Sequence, residues 1–196
     1  MKLAVLSLMF VAATATASPK VGEPAPAFSL SGSDGKVHAL SDYKGQYVVL
    51  EWTNDGCPFV HKQYDSGTMQ SLQKEETAKG VAWLSIVSSA KGKEGYVDAT
   101  KAAELTRARK ASPTVVLLDP TGVAGHAYGA RTTPHMFVIS PDGKLIYMGG
   151  IDSIASADPS DIPKATPYVK AALAEAMAGK GVTNAVTTPY GCSVKY

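Results

Sequence analysis

Cysteine is nearly absent from this chain. The 196 residues hold two, Cys57 and Cys192, so only one intramolecular disulfide can exist. An excess of either charge is missing as well. Charged residues make up 18%, the formal net charge is +2, and no Lys/Arg run or basic stripe is present. That excludes nucleic acid and an anionic membrane surface as evident partners. Long apolar runs are also missing. The uncharged stretch after Lys2, "LAVLSLMFVAA", has 11 residues, whereas a bilayer-crossing helix needs about 20. The glycine-rich "GVAGHAYGAR" matches neither the Walker A pattern nor G-x-G-x-x-G, so nucleotide binding is not indicated. His38, His126 and His135 are scattered without metal-ligand spacing, and no internal repeat is visible.

What is present describes an ordinary globular chain, 45% apolar and of a length that suits one domain. Lys2, the apolar run and the Ala15-x-Ala17 site form a secretory signal peptide over residues 1–17. The reading that follows is an exported protein, periplasmic or secreted, with no membrane span after cleavage. In that compartment a disulfide can persist.

Residues 18–26, "SPKVGEPAP", read as an extended lead-in. "AFSL" and "KVHAL" flank Asp34-Gly35 as a hairpin. "QYVVLEW", "VAWLSIVSS" and "TVVLLD" read as continuous apolar strands buried on both faces. Residues 58–79 carry apolar residues at helical spacing and predict one helix, ended by Gly80. A second helix is expected over 97–110 and a short helix or irregular link at "GVAGHAYGA". "HMFVIS" and "KLIYMGG" flank Pro141-Asp142-Gly143 as a second hairpin. Thr166 then reads as the cap of a final helix that ends at Gly179. The tail, 181–196, shows no regular pattern. Alternating strands and helices followed by a hairpin and a helix predict an α/β fold in one domain, 27–180. Its central mixed sheet has helices on both faces, with an N-terminal hairpin as an extension.

Within "TNDGCPFVHKQY", Cys57 stands where a buried strand hands over to a helix. Unpaired N–H groups and the helix dipole favour the thiolate there, and the thiolate is the nucleophile. Pro58 fits the first turn, where its missing N–H costs nothing. His61 lies about one helical turn further along on the same side, placed to lower the thiol pKa if it approaches the sulfur as a cation. The alternative is an inert, buried structural cysteine. Two cysteines in an exported protein favour a 57–192 pairing. It serves either as a permanent staple or as an opening and closing bridge in which Cys192 resolves what Cys57 forms. Trp52 is read as core.

The strand ending in Trp52, the Cys-Pro pair and "GARTTPHMFVISPDGKLIYMGG" resemble the thioredoxin-like fold. "VGEPAPAFSLSGSDGKVHALSDYKGQYVVLEW" is similar to the redoxin branch, the alkyl-hydroperoxide-reductase and thiol-specific-antioxidant relatives. "W-T-N-x-x-C-P-F-V" with a terminal "GCSVK" is similar to a peroxiredoxin-like subgroup of that branch. The resemblance implies a cis Thr133-Pro134 bond beside the active cysteine. It also implies an antioxidant or disulfide-exchange oxidoreductase without a cofactor. Its partners would be a disulfide-bearing protein or a small peroxide, and a thiol reductant.

Three departures matter. Val60 stands where thioredoxins carry their second cysteine. Asn54 stands where peroxiredoxins place a threonine, and Leu50 where they place a proline. Of the three arginines, only Arg131, near Pro134, is placed to meet the thiolate. Two other functions stay open at this point. One is Cu(I) or zinc handling by Cys57, His61 and Cys192. The other is a non-catalytic binding module with a structural bridge.

Overall fold

A computed structural model describes residues 19–196; the signal-peptide reading lies outside the described residues. The apolar runs form strands at the centre of a seven-stranded mixed sheet. Its elements in chain order are β1 (Ser29–Gly32), β2 (Val37–Ala39), β3 (Val48–Trp52), α1 (Pro58–Asp65), α2 (Thr68–Ala78), β4 (Ala82–Val87), α3 (Ala99–Ala108) and β5 (Val115–Leu118). Then come α4 (Val123–Tyr128), β6 (Thr132–Thr133), β7 (His135–Ile139), β8 (Leu145–Gly149), α5 (Tyr168–Met177) and β9 (Cys192–Ser193). The sheet order is β2-β1-β5-β4-β3-β7-β8. β3 pairs parallel with β4, and β4 with β5, while β7 runs antiparallel to β3 with Trp52 opposite His135. Parallel strands need crossover helices, which bury the sheet on both faces and explain why β3 and β4 read as unbroken apolar runs.

Side chains alternate between two cores. Val48, Leu50 and Trp52 face a cluster closed by Tyr128 of α4, with Phe137 beside them. Val49, Trp83 and Met136 face the other side, with Cys57, Val60 and Leu72 from α1 and α2 and Val169 and Leu173 from α5. The β1–β2 hairpin extends the sheet at β5 as expected. Both termini cover the other edge. Gly22 N–H donates to Leu145 O at 2.8 Å at the start of β8, and Met148 N–H to Ala185 O at 3.0 Å further along it. The exposed backbone of an edge strand is thereby closed off.

Three local expectations differ. The helix over 58–79 is two helices, because Gly67 takes φ +79° and ends the first run. Gln70 then donates from Nε2 to the freed Tyr64 carbonyl at 2.8 Å. Pro167 caps α5 in place of Thr166, whose N–H is taken by Ser153 Oγ at 2.9 Å. The tail is neither patternless nor loose. It carries β9 and is bonded along its length: Thr187 to Tyr147, Tyr190 to Asp152, Lys195 O to Ala90 N–H and Tyr196 to Ala130 O. Among the described residues no helix is long and apolar enough to cross a membrane.

Candidate active site

β3 delivers the chain to the sheet edge at Trp52, and a short loop then turns it into α1. Asn54 shapes that loop. Its Oδ1 accepts the Gly56 N–H at 2.8 Å, and its carbonyl accepts the Cys57 N–H at 3.2 Å. The position that departs from the peroxiredoxin threonine is therefore a buried loop-former with its side-chain oxygen committed to the backbone. Cys57 is the residue capping α1, and Pro58 occupies the first turn, so the helix's free N–H groups point toward the sulfur. Trp52 is core as read, donating from Nε1 to Ser88 Oγ at 3.0 Å.

The Thr133-Pro134 bond is cis, and Cys57 Sγ lies 3.0 Å from the Thr133 carbonyl oxygen, to which the thiol donates. The tail reaches the same place: β9 pairs antiparallel with β6, setting Cys192 opposite Thr133. Both cysteines are free thiols, with Cys57 fully buried and Cys192 half-buried. The expected 57–192 disulfide is thus a contact without a bond. Burial pushes the Cys57 thiol up. The Cys192 thiol, the Thr133 side chain and the N–H groups of Cys192 and Val60 outweigh it and leave Cys57 below the ordinary thiol value. Cys192 moves the other way, to about 11, through burial and through the bond it gives to Cys57. The pair is therefore asymmetric: Cys57 gives up its proton before Cys192 does.

Two expected helpers are not at the sulfur. His61 bonds Asp55 O through Nε2 at 2.7 Å and Asp65 Oδ2 through Nδ1 at 3.1 Å. Both ring nitrogens are used away from Cys57, because i,i+4 spacing sets the side of a helix but not the rotamer. Arg131 is exposed and contributes only backbone: its N–H goes to His135 Nδ1 at 3.3 Å, and its carbonyl to the Val194 N–H at 3.0 Å. The Cys57–His61–Cys192 metal set is not assembled, and among the described residues no group of three potential ligands is.

The structure adds groups that the sequence reading missed. Arg109 pairs with Asp55 in the active loop and lies 4.7 Å over the Tyr64 ring. Glu51, fully buried in β3, accepts from Tyr64 at 2.8 Å, Trp83 at 2.8 Å, Ser85 at 2.9 Å and Gln73 at 3.1 Å. A single carboxylate inside the apolar run "YVVLEW" was the available signal. Gly191 is the third. With φ +130° its added Cβ would stand 2.0 Å from the Thr133 carbonyl oxygen, a backbone atom that cannot move aside.

Two expected results follow from this geometry. Gly191→Ala pushes β9 off β6 and uncovers Cys57, so a small disulfide reagent modifies Cys57 about tenfold faster or more; an unchanged rate would show that β9 is not the cover. His135, at the start of β7, is held neutral by burial and by the nearby Arg131, its pKa lowered to about 3 from 6.5. Between those values the unfolded chain binds a proton that the folded chain refuses. Stability therefore falls as pH drops from 6.5 toward 3, by at most about 1.4 kcal/mol per pH unit. His135→Phe flattens that part of the pH–stability curve, measured by urea unfolding at several pH values.

Comparison with known proteins agrees with the architecture. The AhpC/TSA family model matches residues 21–148. An uncharacterised conserved protein of Geobacillus kaustophilus superposes with TM-score 0.78 at 27% identity, over 90% of this chain and 92% of its own. A Chlorobium tepidum protein assigned as thiol:disulfide interchange protein DsbE gives TM-score 0.54 at 27% identity, over 67% and 85%. Peroxidoxin BcpB of Mycobacterium tuberculosis shares the fold, with TM-score 0.52 at 21% identity over 65% and 83%. A search of curated proteins returns no match. With the family match spanning most of the described residues and the cysteine at the start of α1, the chain belongs to the AhpC/TSA family and is a thioredoxin-like oxidoreductase.

Proposed function

We propose that the protein is an exported thiol–disulfide exchange enzyme in which Cys57 attacks and Cys192 resolves. The observation that carries this is the β6–β9 pairing, which sets a protonated second thiol against the Cys57 sulfur at the cis Thr133-Pro134 turn. The Cys57 thiolate attacks one sulfur of a substrate disulfide. That S–S bond breaks, a mixed disulfide forms, and the other sulfur leaves as a thiolate. Cys192 gives its proton to the departing thiolate and attacks Cys57 Sγ, releasing the second substrate sulfur. The substrate gains two electrons and the protein ends with a 57–192 disulfide. An external dithiol returns it to the reduced state.

Cys57 has no exposed surface, so substrate entry requires β9 to lift from β6. An extended substrate segment then takes its place along Thr132–Thr133. Peroxide reduction would need donors arranged to hold an O–O bond. Asn54 spends its oxygen on the loop and Arg131 points outward, which favours exchange. Export rests on the leader-like residues 1–17, and among similar structures on an exposed lipoprotein thioredoxin of Streptococcus pneumoniae, 26% identical with TM-score 0.52 over 69% of this chain.

The test is the reduction potential of the pair, by thiol trapping in glutathione buffers. A potential above about −300 mV, with loss of the transition in Cys192→Ala, is the expected result. A lower potential makes the pair a structural staple, and efficient Cys57-dependent peroxide consumption reverses the choice of substrate.

A further inference from the structure

A cavity of about 500 Å³ lies on the sheet face opposite the Cys57 core, between α4, the start of β7 and the tail. That volume falls in the range of small-molecule sites, about 300–1,000 Å³. Its floor is apolar, with Phe137 and Met148, and Tyr196 of the tail forms one wall. Arg131, His126 and His135 line it, and among the described residues no aspartate or glutamate does. The hydroxyls of Tyr128, Thr187 and Tyr196, also in its lining, are bonded within the protein. Asp119, an acid that acts electrostatically on Tyr196, is fully buried and outside the lining; its Oδ2 accepts from Ser88 Oγ and the Gly125 N–H, while its Oδ1 has no partner among the described residues.

Arg131, His126 and His135, by contrast, keep uncommitted nitrogens. Among the described residues the Arg131 guanidinium has no ion pair or hydrogen bond. The His126 ring stacks on Tyr196 at 4.0 Å, and among the described residues its nitrogens bond nothing. His135 is the most informative. It is only 5% exposed, and its Nδ1 accepts the Arg131 N–H, which places the ring proton on Nε2. Among the described residues that Nε2–H has no partner. It opens into the cavity and not into closed core, so it is free to meet an acceptor there. An acceptor with a negative charge would meet both that donor and the unpaired guanidinium.

We propose that this cavity binds a small organic anion, its carboxylate held by Arg131 and the His135 Nε2–H and its apolar or aromatic body lying on Phe137 and Met148. The site uses neither cysteine, so it stands apart from the thiol chemistry. Planar, bidentate donors select a carboxylate over a neutral amide of the same shape.

The probe is 3-phenylpropanoate, with 3-phenylpropanamide as the neutral match, titrated into the purified protein by calorimetry and followed by amide NMR shifts. The acid binds saturably at one site with a Kd in the low millimolar range or tighter, as expected for a ligand of that size. The amide binds at least about tenfold more weakly, and Arg131→Gln brings the acid to the level of the amide. Shifts centre on Gly129, Ala130 and Thr187, and Cys57→Ser leaves the affinity unchanged. His135→Gln weakens the acid similarly; should that variant not fold, exposed Arg131 decides alone. Absence of saturation, equal affinity for acid and amide, indifference to Arg131→Gln, or shifts centred elsewhere would each overturn the proposal.

Discussion

Cys192→Ala stops turnover after the first chemical step, and the protein accumulates as a mixed disulfide with its substrate. Cys57 keeps its place at the start of α1 and still attacks. No second thiol then stands at Thr133 to release the bound sulfur. Multiple-turnover exchange falls by about two orders of magnitude or more, while single-turnover attack is retained with its pH profile shifted upward, because the Cys192 thiol no longer lowers the Cys57 pKa. Cys57→Ser loses both steps, since a serine hydroxyl is not ionised at neutral pH. The two variants are separated by non-reducing electrophoresis after mixing with an oxidised protein substrate. Trapped adduct is expected with Cys192→Ala and none with Cys57→Ser. Adduct formed through Cys192 in the Cys57→Ser protein would reverse the assignment. The asymmetry of the pair argues against that outcome: Cys192 holds its proton up to about pH 11, and Cys57 ionises below the ordinary thiol range.

The largest stability effect is expected at Glu51. Its carboxyl is the shared acceptor for Tyr64, Trp83, Ser85 and Gln73, and it joins β3, β4 and the α1–α2 pair beneath the active loop. Glu51→Ala leaves those donors buried without an acceptor and opens a cavity. The loss is about 3–5 kcal/mol, a drop in Tm of roughly 10 °C for a chain of this length. Glu51→Gln keeps one acceptor oxygen but turns an amide N–H toward a donor, so it falls between alanine and the natural residue. Burial holds the Glu51 carboxyl above its ordinary pKa, and the four donors only partly offset it. As pH rises through the ordinary carboxylate range, the unfolded chain releases a proton that the folded chain keeps, so the contribution of Glu51 weakens with rising pH. Thermal unfolding of the three proteins across pH checks both points. An alanine variant melting within a degree of the natural protein would show that the network is dispensable.

Strand and helix positions were legible because burial imposes a period. "YVVLEW" and "VAWLSIV" are apolar on both faces since helices cover both, and Gly80 and Gly179 end helices in the left-handed conformation that glycine tolerates. The side-chain environment was less legible. Glu51 reads as one polar letter in an apolar run, and nothing local announces four donors arriving from three other elements. His61 has the right spacing and the wrong rotamer. Arg131 is next to the right turn in sequence, yet its side chain faces away. The cis bond at Thr133-Pro134 followed from family resemblance, because an X-Pro pair by itself favours trans.

The sequence by itself determined the α/β order of elements, the helix-start position of Cys57 and the loss of the thioredoxin dithiol at Val60. These are local properties, set by side-chain period and backbone preference within a few residues. Only the tertiary structure decided what stands against Cys57. Cys192 arrives from 135 residues away because the tail crosses β8, is held by Thr187 and Tyr190, and pairs at Thr133 through a glycine that alone fits there. Hydrogen bonds between distant backbones have no periodic signature in a sequence. The pairing of the two thiols, and the proton placement it imposes, is therefore a property of the folded chain.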